Sequence, residues 1–108
     1  MILTRDFKET VKERTERDPA FAKAMLDEAA MAFLNGEPHV ARLILRDLVN
    51  ASVGFEALAA ETNRPSKSLH RMLSEKGNPS MDNLAAIFGA VRRRLGVTIE
   101  AHAVVMEH

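Results

Sequence analysis

The chain has 108 residues, no cysteine, and 15 basic against 15 acidic side chains, for a formal net charge of zero. That length suits one domain with a single core, and the missing thiols exclude a disulfide framework, a zinc–thiolate site and a cysteine nucleophile. No apolar run approaches the ~20 residues of a membrane span, and Met1-Ile2-Leu3-Thr4-Arg5 lacks the layout of a secretion signal, so a cytoplasmic location without membrane contact is expected. The zero charge is unevenly placed: residues 1–50 hold eight basic and nine acidic side chains, 51–96 seven and four, and 97–108 none and two. The positive excess in 51–96 is modest. It fits nucleic-acid contact made by two copies or by a few specific side chains.

In chain order, residues 1–18 read as a charged N-terminal helix or arm. Phe7 and Val11 are its chief apolar anchors, and Glu9 with Lys12 and Glu13 with Arg17 sit at helical spacing for ion pairs. Two uses fit this pattern: an ordinary exposed helix, or a segment that engages a partner. Asp18-Pro19 then marks a boundary, because Asp caps helices well and Pro suits the first helical position. A helix is expected over 19–34, with Phe21, Met25, Ala29 and Phe33 in an inward row joined by Ala22, Leu26 and Ala32. Asn35-Gly36 ends it.

Glu37-Pro38 starts a second helix, to 50 or 51. Val40, Leu43, Ile44, Leu45, Leu48 and Val49 cover so much of its circumference that it is expected to be the most buried helix, with Arg42, Arg46 and Asp47 as one strip open to water. Met25, Met31 and Met81 admit two readings, an adaptable binding surface or gap-filling in the core, and the second is the commoner use.

Ser52-Val53-Gly54 breaks the chain. Phe55, Leu58, Ala59 and Thr62 then share one face of a short helix at i, i+3, i+4 and i+7, and the small Ala59 lets another helix cross close by. Asn63 tolerates the left-handed conformation that ends helices, and Pro65 cannot continue one but can start one, so the next helix begins at 65 or 66. At about 100° per residue, Leu69, Met72 and Leu73 cluster on one side of this 66–74 helix. Lys67, Arg71 and Ser74 lie opposite, with Ser68 and His70 on the flanks. Cations there can reach phosphates or guanine edges, and hydroxyls or imidazole can contact either, so Ser66, Lys67, Ser68, His70, Arg71 and Ser74 are the candidate DNA-binding residues. Two helices and a tight turn also occur in any bundle, and outward cations are often only solvated.

Lys76-Gly77-Asn78-Pro79 forms a turn, Ser80 caps a further helix, and Asp82 sits in its first turn. Leu84, Ile87, Phe88, Val91 and Leu95 carry the strongest helical periodicity in the chain, and Gly96 stops it after Arg92-Arg93-Arg94. Those arginines complement the helix dipole and are also candidates for phosphate contact. From 97 to 105, VTIEAHAVV, the period changes to two: Val97, Ile99, Ala101, Ala103 and Val105 alternate with Thr98, Glu100 and His102. This predicts a C-terminal strand. Since no second strand is evident, it must pair with another chain or stay unpaired, and self-pairing would give a homodimer able to read both halves of a palindromic operator.

No enzyme is expected. His39, His70, His102 and His108 are scattered, and neither a phosphate loop nor a nucleophile elbow is present, so no catalytic residue, metal or cofactor is assigned.

Residues 54–96 resemble the Xre/Cro-type helix-turn-helix domain, and more narrowly the addiction-module antidote proteins, antitoxins of the HigA type. The likeness is carried by LAAETN at 58–63, SLHRMLSEKGNPS at 68–80 and DNLAAIFGAV at 82–91, with 73–79 the most specific part. The family usually has Gly where this chain has Asn63, and a small hydroxyl residue at the helix cap where it has Pro65 followed by Ser66. The resemblance implies an all-α, five- to six-helix bundle containing a lambda-repressor-like helix-turn-helix over 55–74, within a DNA-binding domain at 19–96 followed by the strand and tail at 97–108. It also implies a transcriptional regulator that binds double-stranded DNA and represses its own operon as the antitoxin of a toxin–antitoxin module. Its partner would be a RelE-like ribonuclease toxin, for which residues 1–36 are the most available region. Alternatives are a toxin-neutralising module with little DNA binding, or a stand-alone phage-type repressor.

Overall fold

The computed structural model describes residues 18–107. The expected arm at 1–18 falls almost wholly outside them. Among the described residues the chain is all-helical, with α1 at Pro19–Leu34, α2 at Pro38–Ala51, α3 at Phe55–Thr62, α4 at Ser66–Met72 and α5 at Met81–Leu95. Asp18 caps α1 by accepting the Ala20 amide at 3.1 Å, with Pro19 leading the first turn. Gly36 adopts a φ of 85°, and the Glu37 amide donates to the Ala32 carbonyl at 2.8 Å, so the chain reverses into α2 within a few residues. The two long helices consequently pack against each other as a hairpin.

A single apolar cluster joins all five helices. It contains Ala22, Leu26 and Ala29 of α1, Leu45, Leu48 and Val49 of α2, Phe55 and Leu58 of α3, and Leu84, Ile87, Ala90 and Val91 of α5. Leu69 of α4 and the following Leu73 complete it. Each of these fully buried leucines contributes about 1.5–3 kcal/mol relative to an exposed one. α5 lies against α3 and α1, closing the cluster over the short pair α3–α4.

Packing corrects several sequence expectations. α1 meets its neighbours through Ala22, Leu26, Ala29, Ala30 and Ala32, while Phe21, Met25 and Phe33 are only half-buried. Met25 and Phe33 of the expected row still pack against the cluster, Phe33 meeting the Phe88 ring at 6.3 Å between centroids, so the row faces inward with its small members most deeply buried. α2 is buried along one face, Ala41, Leu45, Leu48 and Val49, rather than around most of its circumference: Val40 and Ile44 are half-buried and Leu43 is 45% exposed. Arg42, Arg46 and Asp47, expected in water, are half-buried. Of the three methionines assigned to core gaps, Met25 packs against the cluster, but Met31 is 52% and Met81 78% exposed.

Residues 97–107 are neither helix nor strand. Alternation survives in its first part, where Val97 and Ile99 pack against the core and Thr98 and Glu100 face outward, whereas residues 101–107 are all exposed. A strand needs a ladder partner, and the described residues supply none.

Candidate nucleic-acid interface

α3 follows Gly54, whose φ of 81° turns the chain out of the 52–54 break. Phe55 and Leu58 are buried, Ala59 and Thr62 half-buried, so the expected face points inward. The Thr62 hydroxyl is absorbed by donation to the Leu58 carbonyl at 2.7 Å. Asn63 then takes the left-handed conformation, φ 54° and ψ 43°, and is the sole non-glycine residue with positive φ among those described. Asn pays less for this geometry than other side-chain-bearing residues. Pro65, extended at φ −64° and ψ 137°, delivers the chain to Ser66, where α4 begins.

α4 is fastened on one side and open on the other. Leu69 and Leu73 are 0% and 1% exposed and anchor it to the cluster, with Met72 half-buried beside them. The imidazole of His70 stacks on the Phe55 ring, with centroids 3.8 Å apart and planes inclined by 17°, which pins α4 to the start of α3. Lys67 and Arg71, one helical turn apart, are exposed and make no ion pair with another described residue. Ser66 and Ser68 are half-buried on the flanks. The helix ends at Met72, so Ser74 lies beyond it, and its hydroxyl donates to the Arg71 carbonyl at 2.6 Å. Lys67 and Arg71 are thus the free cations of the face. His70 is exposed with one ring face stacked on Phe55, and Ser74 has its proton committed.

Two arginines that the sequence pattern did not single out position this face. Arg42 of α2 reaches the segment after α4, donating from Nε to the Ser74 carbonyl at 3.3 Å and from Nη2 to the Glu75 carbonyl at 3.2 Å. Arg64, in the turn, donates from Nε to the Asn83 side-chain oxygen at 2.6 Å and from Nη1 to the Thr62 carbonyl at 2.8 Å, linking the turn to the first turn of α5. No periodicity marks either role, because both acceptors lie far away in sequence or on the backbone. Gly77 shows why the turn after α4 requires glycine: a Cβ there would overlap the carbonyl oxygens of Met72 and Arg71. Ser80 caps α5 by accepting the Asn83 amide at 3.1 Å.

The arginines closing α5 divide their work. Arg92 donates to the Val97 carbonyl at 3.2 Å, Arg93 pairs with Glu61 of α3 at 2.9 Å, and Arg94 is exposed. Pairing of Arg93 offsets the negative charge at the end of α3. Among the described residues no cluster of three or more His, Asp or Glu could hold a metal ion, and no helix is long and apolar enough to cross a membrane. Comparisons with family models, curated proteins and solved structures find no match for the chain.

Proposed function

We propose that this chain is a sequence-specific DNA-binding regulator, in which α3 and α4 form a helix-turn-helix and α4 enters the major groove. The observation that carries this reading is the open face of α4: Lys67 and Arg71 are exposed and unpaired among the described residues, on a short helix whose opposite face is anchored by Leu69 and Leu73. A cationic face on a rigidly seated helix can form bidentate contacts to guanine or bonds to phosphate. Arg42 and Arg64 support the reading helix through their bonds to the segments that flank it. A binding role accounts for the exposed cations of this face.

Arg71→Ala tests the reading. If Arg71 pairs with a base, the substitution weakens binding to the chain's own operator by about 1–3 kcal/mol and relaxes specificity at one position. An equal loss on operator and random duplex would instead make it a phosphate contact, and no loss on either would remove α4 as the reading element.

The antitoxin role rests on the sequence resemblance rather than on this face. In that role the chain neutralises a small RelE-like ribonuclease and represses the promoter they share. Affinity capture from the native cell gives a stoichiometric small partner if the chain is an antitoxin, and none if it is a stand-alone regulator.

A further inference from the structure

The tail after α5 leaves binding capacity unused. Val104, Val105 and Met106 are 80%, 92% and 78% exposed, and residues 98–107 make no hydrogen bond to another described residue. Beside the tail runs a groove of about 540 Å³, bounded by residues 99–103 on one side and by Ala30, Met31 and Leu34 of α1 on the other. Met31 and Leu34 are themselves 52% and 62% exposed. A non-helical segment without hydrogen bonds to other described residues, beside a groove lined by Met31 and Leu34 as well as by Asp27 and Asn35, is suited to the addition of another strand.

The order of residues identifies the strand. Read backwards about Ala101, the tail complements itself: Val97 meets Val105, Thr98 meets Val104, Ile99 meets Ala103, and Glu100 meets His102. We infer that the occupant is a second copy of this chain, its tail antiparallel to the first, with Ala101 of each copy on a two-fold axis. Apolar pairs then occupy the face that Val97 and Ile99 already turn toward the core. On the opposite face each Glu100 carboxylate accepts from an imidazole N–H of His102 across the strands.

Neighbouring registers are worse. A shift that pairs odd with even residues sets the apolar face of one tail against the outward face of the other. Centring the pair on Glu100 opposes two carboxylates. Centring it on His102 opposes the two imidazoles and sets Val97 against Glu107. The register through Ala101 also brings the exposed Val105 of the second copy beside Val97, at the margin of the core. The assembly stands whether or not α4 reads DNA. If α4 does, the two-fold axis presents a pair of reading helices with the symmetry of a palindromic operator.

A single introduced thiol tests the register, because the chain has no cysteine of its own. In the full chain, Ala101→Cys places two sulfurs at the axis, within the Cα separation of about 4.4–6.8 Å that a disulfide requires. Ala103→Cys places its two copies about 13 Å apart, four residues of strand. Mild oxidation is expected to give a covalent dimer for Ala101→Cys in roughly tenfold excess over Ala103→Cys. Sedimentation supplies a second readout: Glu100→Lys weakens the wild-type dimer, and Glu100→Lys with His102→Glu restores it. Equal cross-linking at both positions, a monomeric wild type, or failure of the exchanged pair to restore association would overturn the proposal. None of these measurements contains DNA, so their outcome is independent of the reading of α4.

Discussion

The α1–α2 hairpin and the α3–α4–α5 block are held together by different means. The hairpin carries several local polar bonds: Asp18 to the Ala20 amide, Lys23 with Asp27, Asn35 to the Met31 carbonyl, and Ser52 to the Leu48 carbonyl. The hairpin is otherwise secured by apolar packing along two helices of 16 and 14 residues. α3 and α4 have only 8 and 7 residues, too short to be stable by themselves. Their orientation is fixed by arginines reaching from other elements or from the turn: Arg42 from α2, Arg64 to α5, and Arg93 to Glu61. One region therefore supplies stability through area, and the other holds a small exposed face in a defined direction through directed bonds.

The contrast predicts a graded series of effects. Leu45→Ala opens a cavity in the part of the core shared by all helices and should cost about 2–5 kcal/mol, read by chemical denaturation. Since one cluster spans both regions, a single cooperative transition is expected; separate melting of residues 19–51 would break the comparison. Arg42→Met removes two charge-assisted bonds to main-chain carbonyls while keeping much of the side-chain bulk. It should cost about 1–3 kcal/mol and reduce DNA affinity without altering any residue on the open face. An unchanged affinity would show that Arg42 stabilises the loop but does not orient α4. Ser80→Ala removes the α5 cap at a cost of about 1 kcal/mol, with DNA binding preserved at temperatures well below the melting point.

Where local chemistry decides structure, the residues announced it. Asp18-Pro19, Asn35-Gly36, Glu37-Pro38, Asn63-Arg64-Pro65, Ser80 and Gly96 all sit at or beside the helix ends where their capping and turn preferences place them. The division of α4 into a buried Leu69–Leu73 side and an exposed Lys67–Arg71 side followed from helical spacing alone. Tertiary geometry was less legible. Leu43 and Met81 are exposed among the described residues, and hydropathy records the preference of a side chain but not the presence of a neighbour. Arg42 reads as surface charge because its acceptors lie on a remote part of the chain. The stack of His70 on Phe55 depends on the crossing of α3 and α4, and no sequence interval specifies it. Alternation in the tail was real for Val97 and Ile99, yet alternation alone could not supply a ladder partner.

The central claim is that the exposed face of α4 reads DNA. It is tested most directly by fluorescence-anisotropy titration of the wild type and the Lys67→Ala/Arg71→Ala double variant against the chain's own upstream duplex and a scrambled duplex, at two salt concentrations. The predicted result is tight, sequence-selective binding by the wild type, with selectivity lost in the variant and a shallower salt dependence because fewer cations meet phosphate, while the thermal transition is unchanged. Equal weak binding to both duplexes, unaffected by the two substitutions, would contradict the claim and identify α3 and α4 as a scaffold for a protein partner.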